Sequence, residues 1–121
     1  MKHEKLSYKI IGCAMKVHQK LGNGFQEVIY QRCLAIEFDK KEIFYLREDN
    51  RPIFYEGIQV GTRRADFIVE DIILIELKAV IELQKVHLAQ SLNYLNAYDL
   101  QSGLLINFGS PSLNFKRLYR K

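Results

Sequence analysis

The sequence predicts an α/β fold, with a central mixed β-sheet flanked by helices. Three observations carry this. Ile72 to Leu77 is almost wholly apolar, the pattern of a strand buried on both faces. Residues 82–99 have a helical period and lead to a second apolar run, Leu104 to Phe108. A helix between two such strands predicts a right-handed parallel crossover. Ahead of them lie two helical segments and several short β-rich runs.

In chain order, residues 4–21 read as an amphipathic helix with Tyr8, Ile11, Met15 and His18 on one stripe and lysines mostly off it. Gly22-Asn23-Gly24 stops it. A second helix runs from Gln26 to Lys40, with Glu27, Tyr30, Leu34 and Phe38 on one face. Ile43–Leu46 and Ile53–Tyr55 read as short strands joined by a polar loop, Glu48–Pro52. Gly57 and Gly61 bracket a turn, and Arg64–Val69 with Ile72–Lys78 form a hairpin. In the third helix, Leu88, Leu92 and Leu95 make one apolar line, and Val86, Gln90, Tyr94 and Ala97 its neighbour. Ser102-Gly103 ends that segment, Gly109–Pro111 is a turn, and Leu113–Tyr119 a last strand. No repeat or linker divides the chain, so residues 1–121 are expected to form a single domain.

A net charge of +4 permits a polyanionic partner without demanding one. Two isolated cysteines, Cys13 and Cys33, are too few for a disulfide framework or a zinc site and read as buried free thiols. The charged start, Met1-Lys2-His3-Glu4-Lys5, precedes no apolar signal segment, and no run reaches membrane-spanning length. These features predict a reducing, cytoplasmic location and no membrane partner. The tyrosines and phenylalanines fall mostly in strands and read as core.

The chemistry is concentrated in Arg64–Lys78. Glu76 and Lys78 end a buried strand and share one face, because they are two apart. Charges in that position need partners. Asp66 lies in the preceding strand. A two-residue loop at Glu70-Asp71 would put Asp66 and Glu76 on opposite faces; a three-residue loop over 70–72, or a one-residue bulge, would make them direct neighbours. Two converging carboxylates suit Mg²⁺, which takes oxygen ligands and needs only one or two carboxylates. The competing reading is an ion pair that merely ties two strands.

Asp66…Glu76-Leu77-Lys78 resembles the PD-(D/E)xK nuclease signature, and Gly24-Phe25-Gln26-Glu27-Val28-Ile29-Tyr30 resembles the GxxExxY signature of a family in that superfamily. Val17–Phe25, Gly103–Gly109 and Lys116-Arg117 are similar to further parts of that family's pattern. The resemblance implies a restriction-endonuclease-like core. It implies metal ligation by Asp66 and Glu76, with Glu27 as an added acid, and a catalytic role for Lys78. Gln90 and Tyr94 resemble the QxxxY element of RecB-like nucleases and, four apart on one helix face, would contact substrate phosphate or hold Lys78.

Each assignment has a plainer alternative. Glu27 also suits a helix first turn, and Gln90 and Tyr94 also suit a helix surface and core edge. His18 and His87 are candidates to reach the cleft as an acid, a base or a contact to substrate phosphate; either also reads as a boundary histidine. Arg47, Arg51, Arg63, Arg64, Lys116, Arg117, Arg120 and Lys121 could track phosphates or simply face solvent. The expectation is a Mg²⁺- or Mn²⁺-dependent nuclease acting on nucleic acid, DNA ahead of RNA, with specificity supplied by substrate structure, a homodimer or a protein partner. The alternative is a non-catalytic nucleic-acid- or partner-binding module that keeps the nuclease fold.

Overall fold

The computed structural model describes residues 3–120; Met1, Lys2 and Lys121 lie outside them. The elements are α1 (Glu4–Leu21), α2 (Glu27–Lys40), β1 (Tyr45–Tyr55), β2 (Ile58–Val69), β3 (Ile73–Lys78), α3 (Lys85–Tyr98), β4 (Ser102–Asn107) and β5 (Asn114–Tyr119). The strands form one sheet in the order β1-β2-β3-β4-β5. β3 and β4 are parallel, and the other neighbours are antiparallel. This is the expected mixed sheet, with α3 as the link between its parallel pair.

Both faces of the sheet are covered, which is why β3 and β4 are so apolar. On one face Ile10, Val17, Tyr30, Leu34 and Phe38 of α1 and α2 pack on Phe67, Ile75, Leu77 and Ile106. On the other, Leu95 and Tyr98 of α3 pack on Ala65, Ile68, Leu74 and Leu105. The α2 stripe Tyr30, Leu34 and Phe38 is fully buried as expected. Glu37 adds an ion pair between the two helices, with Lys16 at 3.1 Å.

Several expectations need correction. The buried side of α1 is Ile10, Cys13, Ala14 and Val17 with Ile11 and His18, whereas Tyr8 and Met15 are exposed. Of the α3 lines, Leu95 is buried but Val86 is exposed, and Tyr98 takes the second core position. The stretch Glu48–Pro52 is not a loop; it belongs to β1, which is continuous from Tyr45 to Tyr55. Its Pro52 is opposite Thr62 on an edge strand, where the missing N–H leaves no central ladder bond unmade. Gly61 likewise lies inside β2, and the turn is at Glu56-Gly57, where both residues have positive φ. Phe54 and Tyr55 at the end of β1 are exposed, not core, and Cys33 is only partly buried.

Candidate active site

The β2–β3 register pairs Val69 with Ile73, Ile68 with Leu74 and Phe67 with Ile75. The connection is therefore the three-residue loop Glu70–Ile72, closed by the Ile72 N–H donating to the Val69 carbonyl at 2.9 Å. Glu70 and Asp71 both take left-handed backbone angles to make it. This odd loop places Asp66 opposite Glu76, the arrangement that a two-residue turn forbids.

At that point the ordinary ladder ends. The Leu77 N–H donates to Asp66 Oδ2 at 2.8 Å, and the Asp66 N–H reaches Glu76 Oε1 at 3.4 Å. Side-chain carboxylates thus replace backbone carbonyls as acceptors. Strand alternation breaks at the same residue: Ala65 and Ile68, three apart, both pack beneath α3, whereas Phe67 faces the α1–α2 side. Across from Asp66, between the pairs Arg47–Phe67 and Asp49–Ala65, Glu48 has a φ of 56°. From here β2 is paired with β1 alone, and the two strands leave the sheet as an arm.

Helix α2 supplies the next groups. The buried Gln31 donates from Nε2 to Asp66 Oδ1 at 2.8 Å. Glu27, one turn earlier on the same helix face, accepts a hydrogen bond from the Ala79 backbone and lies in the field of Lys78. Tyr30 sets where this helix begins. Its hydroxyl donates to the Gly22 carbonyl at 2.6 Å and accepts from the Phe25 N–H at 3.2 Å. Its ring stacks on Phe108 at 4.6 Å.

The exit of β3 is clamped to the exit of β4. The Phe108 N–H donates to the Lys78 carbonyl at 2.8 Å. The fully buried Asn107 accepts from the Val80 N–H at 3.0 Å and donates to the Val80 carbonyl at 2.9 Å. Its Oδ1 also accepts from the Gly109 N–H at 3.0 Å. A Cβ on Gly109 would lie 2.3 Å from the Val80 carbonyl oxygen, so only glycine allows the two backbones to approach this closely. Lys78 is therefore held at a fixed end of β3.

The electrostatics follow from burial. The Glu76 carboxyl is pushed up to about 9, first by burial and then by the negative Asp66 beside it. Asp66 is raised by burial, against the opposing pull of the Leu77 N–H, Gln31 and Lys78. Glu27, exposed at the start of α2, is raised by partial desolvation from its neighbours, with Lys78 opposing. Three acids thus share the field of one lysine.

The remaining candidates divide. Tyr94 is half-buried and its hydroxyl is raised by burial and by the charge of Glu76, so it belongs to this group. Gln90, one turn earlier on α3, is exposed. His18 is not brought to the acids: its Nε2 is 3.0 Å from the Ser110 carbonyl and its ring lies against Phe108. Those partners tie α1 to the β4–β5 turn, the boundary role. His87 caps α3, its Nδ1 accepting from the Gln84 N–H at 2.8 Å. Gln31 and Asn107 were not singled out by sequence reasoning. For Gln31 a usable signal existed, since it is four residues after Glu27 on a helix.

Among the described residues no three His, Cys, Asp or Glu side chains close into a metal-holding group. The donors at the site still fit a hard divalent cation. Asp66 and Glu76 bring two carboxyl groups together at a largely desolvated point, where a cation would offset their mutual repulsion.

The model of the PD-(D/E)XK nuclease superfamily matches residues 4–118. Among solved structures the chain is similar to the crystal structure of SSO0001, with a TM-score of 0.62 and 20% identity over 76% of this chain and 48% of that one. The chain spans about half the length of that protein, and at this identity the likeness shows the fold. No curated protein matches the chain.

Proposed function

The chain belongs to the PD-(D/E)XK nuclease superfamily, and from that membership we propose that it is a Mg²⁺-dependent nuclease that hydrolyses phosphodiester bonds, DNA ahead of RNA. One observation carries the reading: Asp66 and Glu76 are joined where β2 and β3 part, with Lys78 on the same face as Glu76. A pure binding module gains nothing from clustered carboxylates, which repel phosphate.

Asp66 and Glu76, with Glu27 beside them, would hold Mg²⁺ or Mn²⁺. Such an ion would supply Lewis-acid polarisation of the phosphodiester and ease the deprotonation of the attacking water. Lys78 orients that water and stabilises negative charge as it grows on the phosphate oxygens. Gln31 fixes Asp66 in one rotamer, so the carboxylate does not have to be ordered when substrate arrives. Tyr94 and Gln90 line the α3 side, where they meet substrate phosphate. His18 keeps a place in the proposal only as a support for the Gly109–Ser110 turn.

Among the described residues no helix is long and apolar enough to cross a membrane. Residues 1–121 are proposed to act as one nuclease-like domain in a reducing cytoplasm, which suits the free thiols Cys13 and Cys33. A second copy or a partner protein would supply sequence specificity.

The test is cleavage of labelled single- and double-stranded DNA and of RNA with Mg²⁺ or Mn²⁺. Wild type is expected to cut, and Asp66→Ala and Lys78→Ala to lose about 10²-fold or more. Activity that survives both substitutions, or binding without cleavage of any substrate, overturns the reading.

A further inference from the structure

The β1–β2 arm carries two arginines in an unfavourable position. Arg51 and Arg63 are direct cross-strand partners, and like charges opposed in this way destabilise a sheet. Each guanidinium is laid on a tyrosine of α3: Arg51 at 4.7 Å from the Tyr98 ring centre, Arg63 at 4.8 Å from that of Tyr94. The two rings are nearly parallel, at 16° and 6.4 Å. Tyr98 is itself immobilised, accepting from the Ala65 N–H at 3.0 Å and bonded through its hydroxyl to the Asp49 and Arg63 carbonyls.

Arg51 has a carboxylate partner, Asp49 at 3.0 Å. Among the described residues no carboxylate pairs with Arg63. Its position is nonetheless fixed, on the ring that feels the charges of Glu76 and Asp66. A guanidinium stacked through its flat face keeps its N–H edge free for a planar, bidentate acceptor.

We infer that Arg63, with Arg51 beside it, is a phosphate clamp that receives the nucleic-acid backbone next to the Asp66–Glu76–Lys78 site. The inference rests on the nuclease reading for the identity of the anion. The substrate strand then runs from the site along the α3 side of the arm. Asp49 already offsets the charge of Arg51, and the charge of Arg63 is neutralised when phosphate occupies the clamp.

The experiment measures binding of a fluorescein-labelled DNA oligonucleotide, single-stranded and duplex, to the full chain in EDTA, where no cleavage can occur. The variants are Arg63→Gln and Arg51→Gln, which keep the aliphatic stem and a planar polar end but remove the charge. Arg63→Gln is expected to weaken binding about tenfold. It should also lower the slope of log K against log salt by about one counterion per lost phosphate contact. Melting temperature should hold or rise in Arg63→Gln, because a like-charge pair is relieved, whereas Arg51→Gln also gives up the Asp49 pair and should melt lower. Unchanged affinity and slope overturn the clamp, and so does a lowered melting temperature with unchanged binding, which marks the stacked pair as structural. Cleavage is read separately. Arginine-dependent binding without wild-type cleavage keeps the clamp and removes the nuclease reading. Cleavage with arginine-independent binding does the reverse.

Discussion

Glu76 is buried near the end of β3, beside a second carboxylate, and among the described residues it receives only a long hydrogen bond from the Asp66 backbone. Its charge is useful for holding a cation and unfavourable in the ion-free fold. Glu76→Gln keeps the shape and removes the charge. Cleavage should be abolished, whereas the melting temperature in EDTA at pH 8 should rise by roughly 3–6 °C, about 1 kcal/mol for a domain of this size. A melting temperature that falls would show that the carboxylate stabilises the fold. Gln31 poses the complementary case. Gln31→Leu fills the same space but withdraws the donor from Asp66 Oδ1. It should cost about 1–2 kcal/mol by denaturant unfolding and reduce cleavage, because the partly buried Asp66 is then left with one oxygen short of a partner.

Position of the site residues is set by how elements begin and end. The start of α2 depends on Tyr30, which holds both the Gly22 carbonyl and the Phe25 N–H. Tyr30→Phe preserves the stack on Phe108 and removes only the hydroxyl. About 1–2 kcal/mol of stability should go with it, and cleavage should fall as Glu27 loses its fixed helix start. The exit of β3 depends on Gly109, where even a methyl group meets the Val80 backbone. Gly109→Ala should cost roughly 3 kcal/mol or more, seen as a lowered denaturation midpoint.

The same elements explain what the sequence disclosed. α1 and the buried face of α2 were legible because both run uninterrupted at a helical period beside a clear Gly stop. The three-residue loop at Glu70 was legible as a condition, since only an odd connection lets Asp66 meet Glu76. Strand β1 was not, because the arm beyond the sheet leaves its residues mostly outside the core, so Glu48–Pro52 has the polarity of a loop. Nor was the Asn107 clamp, because a lone Asn after an apolar strand has the same appearance whether it is a turn residue or the partner of a distant backbone.

At the scale of the whole molecule the buried acids make stability depend on pH in a definite direction. Glu76 titrates near 4.5 when unfolded and near 9 in the ion-free fold. Between those values the folded chain holds a proton that the unfolded chain has released, so stability falls as pH rises; below both values or above both the contribution is flat. Asp66 and Glu27 are raised as well and act in the same direction. Glu37 acts oppositely at the acid end. Held low by Lys16, it contributes stability above its unfolded value of 4.5 that is lost as the pH drops below it. The ion-free chain should therefore melt highest near pH 5 and progressively lower towards about pH 9. Mg²⁺ changes the slope because it binds the ionised carboxylates of the native state and not the unfolded chain. Its stabilisation should be small near pH 5, where it competes with protons, and should grow with pH until the decline is flattened. The measurement is a melting series from about pH 5 to about pH 9 by circular dichroism, in EDTA and in excess Mg²⁺. A melting temperature in EDTA that does not fall across that range would show that Glu76 keeps its charge unaided, and the case for a cation between it and Asp66 would lose its electrostatic basis.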